Sequence, residues 1–319
     1  MMKKLFLRTL LAASVIASWT SCEHKDLCTD HTHTISLNVI FDWQKAPDAS
    51  PASMALYLYS EQGGEPLRYD FADRRGGVIR VPSGRYAALC LNSDNTDWAQ
   101  FRGMSDIRTF EVFTREAQTL RGYSLATRSL PRVEGTENES IVATPGMTWS
   151  GRLDGIDLHY TDGEQSITLL PEEAVCHYTV DIINIINLKY FKGLTLDGTL
   201  SSMAQGYLPG LNRATDTCVT LPFTADVSDD KTSVHGEFLT FGDCPTTLTS
   251  HALTVYVILT DGTKWYCTFD VTDRIHSADD RRHVHILLDG LTLPKPIVNG
   301  GGFQPSVDEW QSVDVDIEM

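Results

Sequence analysis

The sequence lacks several things whose absence narrows its function. No stretch approaches about 18 uninterrupted apolar residues, so no transmembrane helix is predicted. Positive charge is scarce: 26 Lys and Arg stand against 42 Asp and Glu, a net charge of −16. Nucleic acid and anionic headgroups repel such a surface, so neither is expected as a partner. The motifs G-x-S-x-G, H-E-x-x-H and the P-loop are missing. No nucleophilic, zinc-protease or phosphate-cradling machinery is therefore read. Acidic residues are plentiful enough for a glycosidase pair, but abundance alone identifies no site. The expectation is a protein that is not an enzyme.

Helical periodicity is also rare. Only 200–205, a short turn at most, and 271–279 suggest it. Metal-ligand spacing is weak throughout. His31 and His33 lack a third ligand. His283 and His285, two apart on a strand, share one face but need one or two further ligands. Asp226, Asp229 and Asp230 lack EF-hand spacing. No metal and no cofactor is predicted.

What is present begins at the N-terminus. Lys3, Lys4 and Arg8 precede a short apolar stretch, and small residues cluster before Cys22. This is the pattern of an export signal, too short to span a bilayer. The run Trp19-Thr20-Ser21-Cys22 resembles a bacterial lipobox, with Trp19 where Leu is usual. Cys22 then becomes the lipid-bearing first residue, and the membrane is reached through lipid; two or more acyl chains hold stably. Removing 1–21 leaves 298 residues and a net charge of −19. Residues 22–33 read as a polar tether. The remainder suffices for two domains, assigned to 34–155 and 156–319.

The body reads as strands. Ile35, Leu37, Val39, Phe41 and Trp43 alternate with polar residues, so one face is buried. Residues 54–59 (MALYLY) are apolar on both faces and suit a central strand. Segments 78–81, 85–91, 107–113 and 120–125 follow as strands, and 128–140 as a long loop. In the second half, 165–170, 176–186 and 188–196 are expected to be extended. So are 219–225, 234–241, 253–259, 264–271 and 283–288. Asp261-Gly262 predicts a tight hairpin, because Gly accepts the positive φ required. Short strands with Gly and Pro turns predict an all-β sandwich architecture. At the C-terminus, Trp310, Val313, Val315, Ile317 and Met319 read as the apolar side of a last amphipathic strand. It either docks on its own sheet or pairs with another chain.

With Cys22 lipidated, six cysteines remain: Cys28, Cys90, Cys176, Cys218, Cys244 and Cys267. They allow 15 full pairings, and spacing selects none. Cys90 and Cys267 lie in apolar runs and read as buried free thiols. Trp98, Phe101 and Trp149 sit in Gly- and polar-rich segments. They either stack on a sugar ring or belong to satellite core.

The order of these pieces resembles the fimbrillin-like lipoproteins of Bacteroidales, in particular their anchor and accessory group. It is carried by 36–43 (SLNVIFDW), 54–59, 81–86 (VPSGRY), 178–182 (YTVDI), Phe241-Gly242, 259–262 (LTDG), 270–272 (DVT) and Trp310. The resemblance implies two tandem transthyretin-like β-sandwich domains at the cell surface, lipid-anchored in the outer membrane. It also implies partners that are other fimbrial subunits, joined by strand exchange. Stalk subunits of that family are cut after Arg or Lys. Here no basic residue lies between Lys25 and Lys45, which favours an anchor or accessory role. The alternative function is glycan capture by a surface lipoprotein.

Overall fold

The computed structural model describes residues 34–95, 97–117, 119–120, 123–124, 130–160, 163–245, 250–296 and 309–313. The expected signal, Cys22 and the expected tether lie outside them.

The chain forms two sandwiches and a sheet that joins them. The first sandwich faces a three-stranded sheet against a five-stranded one. The smaller sheet holds β1 (Thr34–Phe41), β4 (Gly76–Pro82) and β12 (Gln165–Leu169), in the order β12-β1-β4. The larger holds β2 (Met54–Ser60), β3 (Leu67–Phe71), β5 (Gly84–Asn92), β11 (Trp149–Leu158) and β13 (Glu172–Glu173). The alternation predicted for β1 puts Ile35, Leu37, Val39 and Phe41 inward against Met54, Leu56, Leu58 and Cys90.

The larger sheet is buried on its other face too. There Ala55, Tyr57, Tyr59, Leu89 and Leu91 meet Phe110, Val112, Tyr207 and Phe241 in a core of their own. That is why 54–59 is apolar on both faces. The covering layer is a composite sheet, ordered β17-β16-β7-β6. β6 (Ala99–Arg102) and β7 (Glu111–Thr114) come from the first half. β16 (Gly206–Leu208) and β17 (Arg213–Ala214) come from the second. A Cβ on Gly206 would sit 2.6 Å from the Val112 carbonyl oxygen, so only glycine lets the two backbones pair so closely.

The second sandwich is built from one continuous hydrogen-bonded sheet of nine strands folded on itself. It contains β10 (Ser140–Ile141), β14 (Cys176–Ile183), β15 (Thr195–Ala204), β18 (Cys218–Val227), β19 (Val234–Thr240), β20 (Ala252–Ile258), β21 (Lys264–Asp270), β22 (His283–Asp289) and β23 (Trp310–Ser312). A short antiparallel pair, β8 (Thr119–Leu120) and β9 (Tyr123–Ser124), a 3₁₀ turn at Leu188–Tyr190 and one α-helix, α1 (Thr272–His276), complete the described elements. The segment leading to β10 wraps the second sandwich. Val142 is fully buried in its core, and the Glu139 carboxylate accepts from the Ser202 N–H (3.0 Å), the Ser202 hydroxyl (3.1 Å) and the Thr220 hydroxyl (2.7 Å). Ser202 has φ 62, inside a bulge of β15, so Glu139 satisfies the donors that the bulge frees from the ladder.

Several expectations are corrected. β12 pairs in parallel with β1 from Leu37↔Gln165 to Phe41↔Leu169, and β11 pairs with β5. Both therefore belong to the first sandwich, and the seam falls between Glu173 and Cys176 rather than at 155/156. Residues 107–109 form a turn and only Glu111–Thr114 is strand. Of the strand expected over 120–125, the described residues Leu120, Tyr123 and Ser124 divide between two short strands, β8 and β9, paired antiparallel. The strand expected over 176–186 stops at Ile183, because Asn184 and Asn187 adopt left-handed φ of 55° and 72°. A 3₁₀ turn at Leu188–Tyr190 replaces the predicted continuation. Residues 200–204 are strand, whereas α1 falls where a helical period was read. Cys218 and Cys244 form a disulfide, while Cys90, Cys176 and Cys267 are free. Burial pushes the Cys90 and Cys267 thiols up to about 12, as expected of inert buried thiols.

Candidate subunit-contact surfaces

Two surfaces follow from the open edges of these sheets. The first is the C-terminal strand. β23 runs parallel to β21, with Lys264↔Trp310 and Tyr266↔Ser312, and the Val313 N–H donates to the Tyr266 carbonyl (3.0 Å). The Trp310 ring meets Tyr256 edge-on at 5.4 Å, in a small cluster with Leu130 on the outside of the sheet. Val313 packs on the main core instead. Positions 310 and 313 differ by an odd number, so on a strand they point to opposite faces. The five residues read as one apolar side thus divide, with Trp310 apart from Val313. Val315, Ile317 and Met319 lie outside the described residues.

The second surface is a groove of about 470 Å³ beside β11. On one side β11 pairs with β5; on the other it meets β13 only at Trp149 and Ser150. From Gly151 onward that edge has no strand partner among the described residues. β12 likewise pairs only with β1. The groove lies between these edges and is closed by the 209–212 turn. Its lining mixes charges and apolar atoms: Lys45 pairs with Glu172 (3.5 Å), and Arg152 pairs with Asp154 (2.8 Å) while donating to the Gly210 carbonyl. Leu211, 41 % exposed, lines the same groove. Unpaired N–H and C=O groups along a sheet edge are a template for an added strand. The sequence hid this edge. Gly155, with φ 68, breaks the alternation of β11 between Leu153 and Ile156, so no strand was read there.

The aromatic residues singled out earlier do not form one platform. Trp149 is 8 % exposed and packs edge-on against Trp43 at 6.2 Å, with its indole N–H buried and unpartnered. Trp98 leans on Phe241 (6.1 Å) and Phe101 on Phe110 (5.8 Å), both against the core under the composite sheet.

His283 and His285 do share a wet face. Because β14 and β22 are parallel and in register, His177 lies opposite His283, and their rings stack at 5.0 Å. His283 pairs with Asp280 (2.8 Å). His285 and His235 clasp Asp181 from two sides, at 2.7 and 2.8 Å. Burial opposes ionisation of Asp181, but the two imidazoles together outweigh it and hold the carboxyl below its ordinary value. The hydrogen bond that the His235 ring donates to Asp181 raises the pKa of His235.

Residues 21–224 match the family described as "Domain of unknown function (DUF5119)". The chain belongs to the DUF5119 family. Across 94 % of its length it is 22 % identical to a Bacteroides ovatus protein named "Putative fimbrium anchoring subunit Fim4B", covering 94 % of that protein. Among solved structures, a crystal structure of "a putative adhesin" from Bacteroides ovatus superposes with TM-score 0.65 at 22 % identity, over 88 % of this chain and 99 % of that one. The fimbrial anchor protein Mfa2 of Porphyromonas gingivalis superposes with TM-score 0.51 at 12 % identity, over 81 % and 91 %. This DUF5119 chain thus shares the all-β fold of fimbrial anchor and adhesin proteins of Bacteroidales, in agreement with the resemblance read from its strands.

Proposed function

We propose that this protein is an anchor or accessory subunit of a surface fimbria. It is held in the outer membrane by lipid on Cys22 and joined to neighbouring subunits by strand pairing. The open edge of β11, in its groove with β12, is the observation that carries this reading. A strand donated by a neighbour would satisfy the unpaired backbone groups there, and alternate side chains would enter the groove. The C-terminal segment, with Trp310, Val313, Val315, Ile317 and Met319, would be the complementary donor, released from its pairing with β21. The relatives named as a fimbrium anchoring subunit and a fimbrial anchor support the assignment. In this reading the two sandwiches are transthyretin-like and the protein has no catalytic role.

Pull-down of the lipidated protein from its native membrane tests the reading. The wild type should bring down another fimbrial subunit. Leu211→Glu, an exposed groove change, should lose it while keeping the melting temperature. Deleting 306–319 separates the two surfaces: if assembly persists and only the protein's own stability falls, donation by the C-terminal segment is wrong. Incorporation of a palmitate analogue should vanish in Cys22→Ala; retention there would remove the lipid anchor.

A further inference from the structure

A second constellation of chemistry-bearing residues lies at one end of the second sandwich. His251, immediately before β20, is fully buried. Its Nδ1–H donates to the Ser201 carbonyl oxygen (3.2 Å), which fixes the tautomer and leaves a lone pair on Nε2. Its backbone N–H donates to the Thr272 hydroxyl (2.8 Å), so the residue is held through both ring and backbone. Nε2 points at Nε2 of His276, the last residue of α1, 3.1 Å away, with the rings at 88°. Asp243 brings a carboxylate oxygen within 4.8 Å of both nitrogens.

We propose that Asp243, His251 and His276 form a site for a divalent transition metal, with zinc the best fit. Three N/O ligands and a water make a four-coordinate zinc site. Two nitrogens each about 2.0–2.1 Å from one tetrahedral ion lie a little over 3 Å apart, which is the separation found here. A metal-binding histidine characteristically donates its other ring N–H to a carbonyl or carboxylate, and His251 does so to Ser201. Without metal, the two Nε2 atoms share one proton in a hydrogen bond. The ion takes its place, and His276 carries its proton on Nδ1. Arg281 stands beside the site, 3.3 Å from Asp243 Oδ2, and the ion would compete with it for that carboxylate. The Glu173, His177 and His283 cluster also has metal-ligand spacing. None of its rings is fully buried, and His283 is already engaged by Asp280.

The position gives the site a purpose. Asp243 precedes Cys244 of the disulfide, and the neighbouring Gly242 carbonyl accepts from the Ala204 N–H (3.0 Å). A bound ion would tie this strand-end segment to α1 and β20.

The test uses the full chain in detergent, stripped with chelator, then given zinc alone and passed through gel filtration. Wild type should retain one more zinc per chain than His276→Ala, an exposed change that leaves the fold intact. Asp243→Asn should weaken binding at least about tenfold, and His177→Ala should bind like wild type. Zinc should raise the melting temperature of wild type and His177→Ala but not of His276→Ala. Equal zinc content in wild type and His276→Ala, whether none or one, overturns the proposal. So does selective loss in His177→Ala.

Discussion

The two sandwiches are closed in different ways. The first has a well-filled core, a free buried thiol at Cys90, and an edge on β11 that from Gly151 onward has no strand partner among the described residues. The second is tied down repeatedly: the Cys218–Cys244 disulfide, the Glu139 carboxylate in the β15 bulge, and Val142 inserted into its core. Two of these three ties come from residues of the first half. The difference separates a region with a free sheet edge, where the proposed strand pairing would take place, from a region that holds itself and its neighbour in place. Edge exposure is kept where assembly would use it, and cross-links lie where they brace the body.

This contrast can be broken at several points. Cutting the chain at the seam should have the largest effect. A fragment of residues 34–173 loses β16 and β17, which exposes Tyr57, Leu89 and Phe110; a fragment starting at 174 loses Glu139 and Val142. Neither should show a cooperative melting transition, whereas the intact chain should show one. Two independent transitions matching the whole would mean that the composite sheet is decorative. Replacing Cys218 and Cys244 by Ser should cost about 2–4 kcal/mol in chemical denaturation. Glu139→Ala should cost about 1.5–3 kcal/mol, because it leaves the donors of the Ser202 bulge unsatisfied. Cys90→Ser would sharpen the comparison from the other side: it should change no cross-link and should act only through core polarity.

The smallest effect concerns pH. The Asp181 carboxyl is lowered in the folded state, so its contribution is present above the unfolded carboxylate value and fades as pH falls through the folded one. His235 is raised, so its contribution is full below about pH 6.5 and fades as pH rises through its folded value. The clasp therefore works best between roughly pH 4 and 6.5. Both imidazoles are more than half exposed, so solvent screening limits the effect to under about 1 kcal/mol. Denaturation midpoints of wild type and Asp181→Asn at pH 5.5 and 8 would read it, with the larger gap expected at pH 5.5.

Much of the fold was legible locally. Strict alternation located β1 and β22, the apolar run located β2, and Asp261-Gly262 located the β20–β21 turn, where Gly262 has φ 86. Non-local facts were not legible. The partners of β7 lie in residues 206–208, and nothing in 111–114 names them. The seam was misplaced because β12 returns to pair with β1 in parallel, a long-range choice. His177 joins His283 only through the register of β14 and β22. The site of Asp243, His251 and His276 was invisible for the same reason: these residues are spread over 34 positions and meet only at the end of a folded sandwich. The split of Trp310 from Val313 was there to be counted, since their odd spacing forbids a shared face.

The composite sheet also sets a schedule. The chain is made from its N-terminus, and Phe113 of β7 must wait for Gly206 before its ladder can close. Until then the apolar outer face of β2 and β5 is covered only by the β6–β7 half of that layer, and the first half is an unfinished object with a sticky side. Such a protein acquires its final shape late and all at once, after nearly two thirds of it has been delivered. Whatever machinery handles it during delivery must tolerate, or shield, that interval.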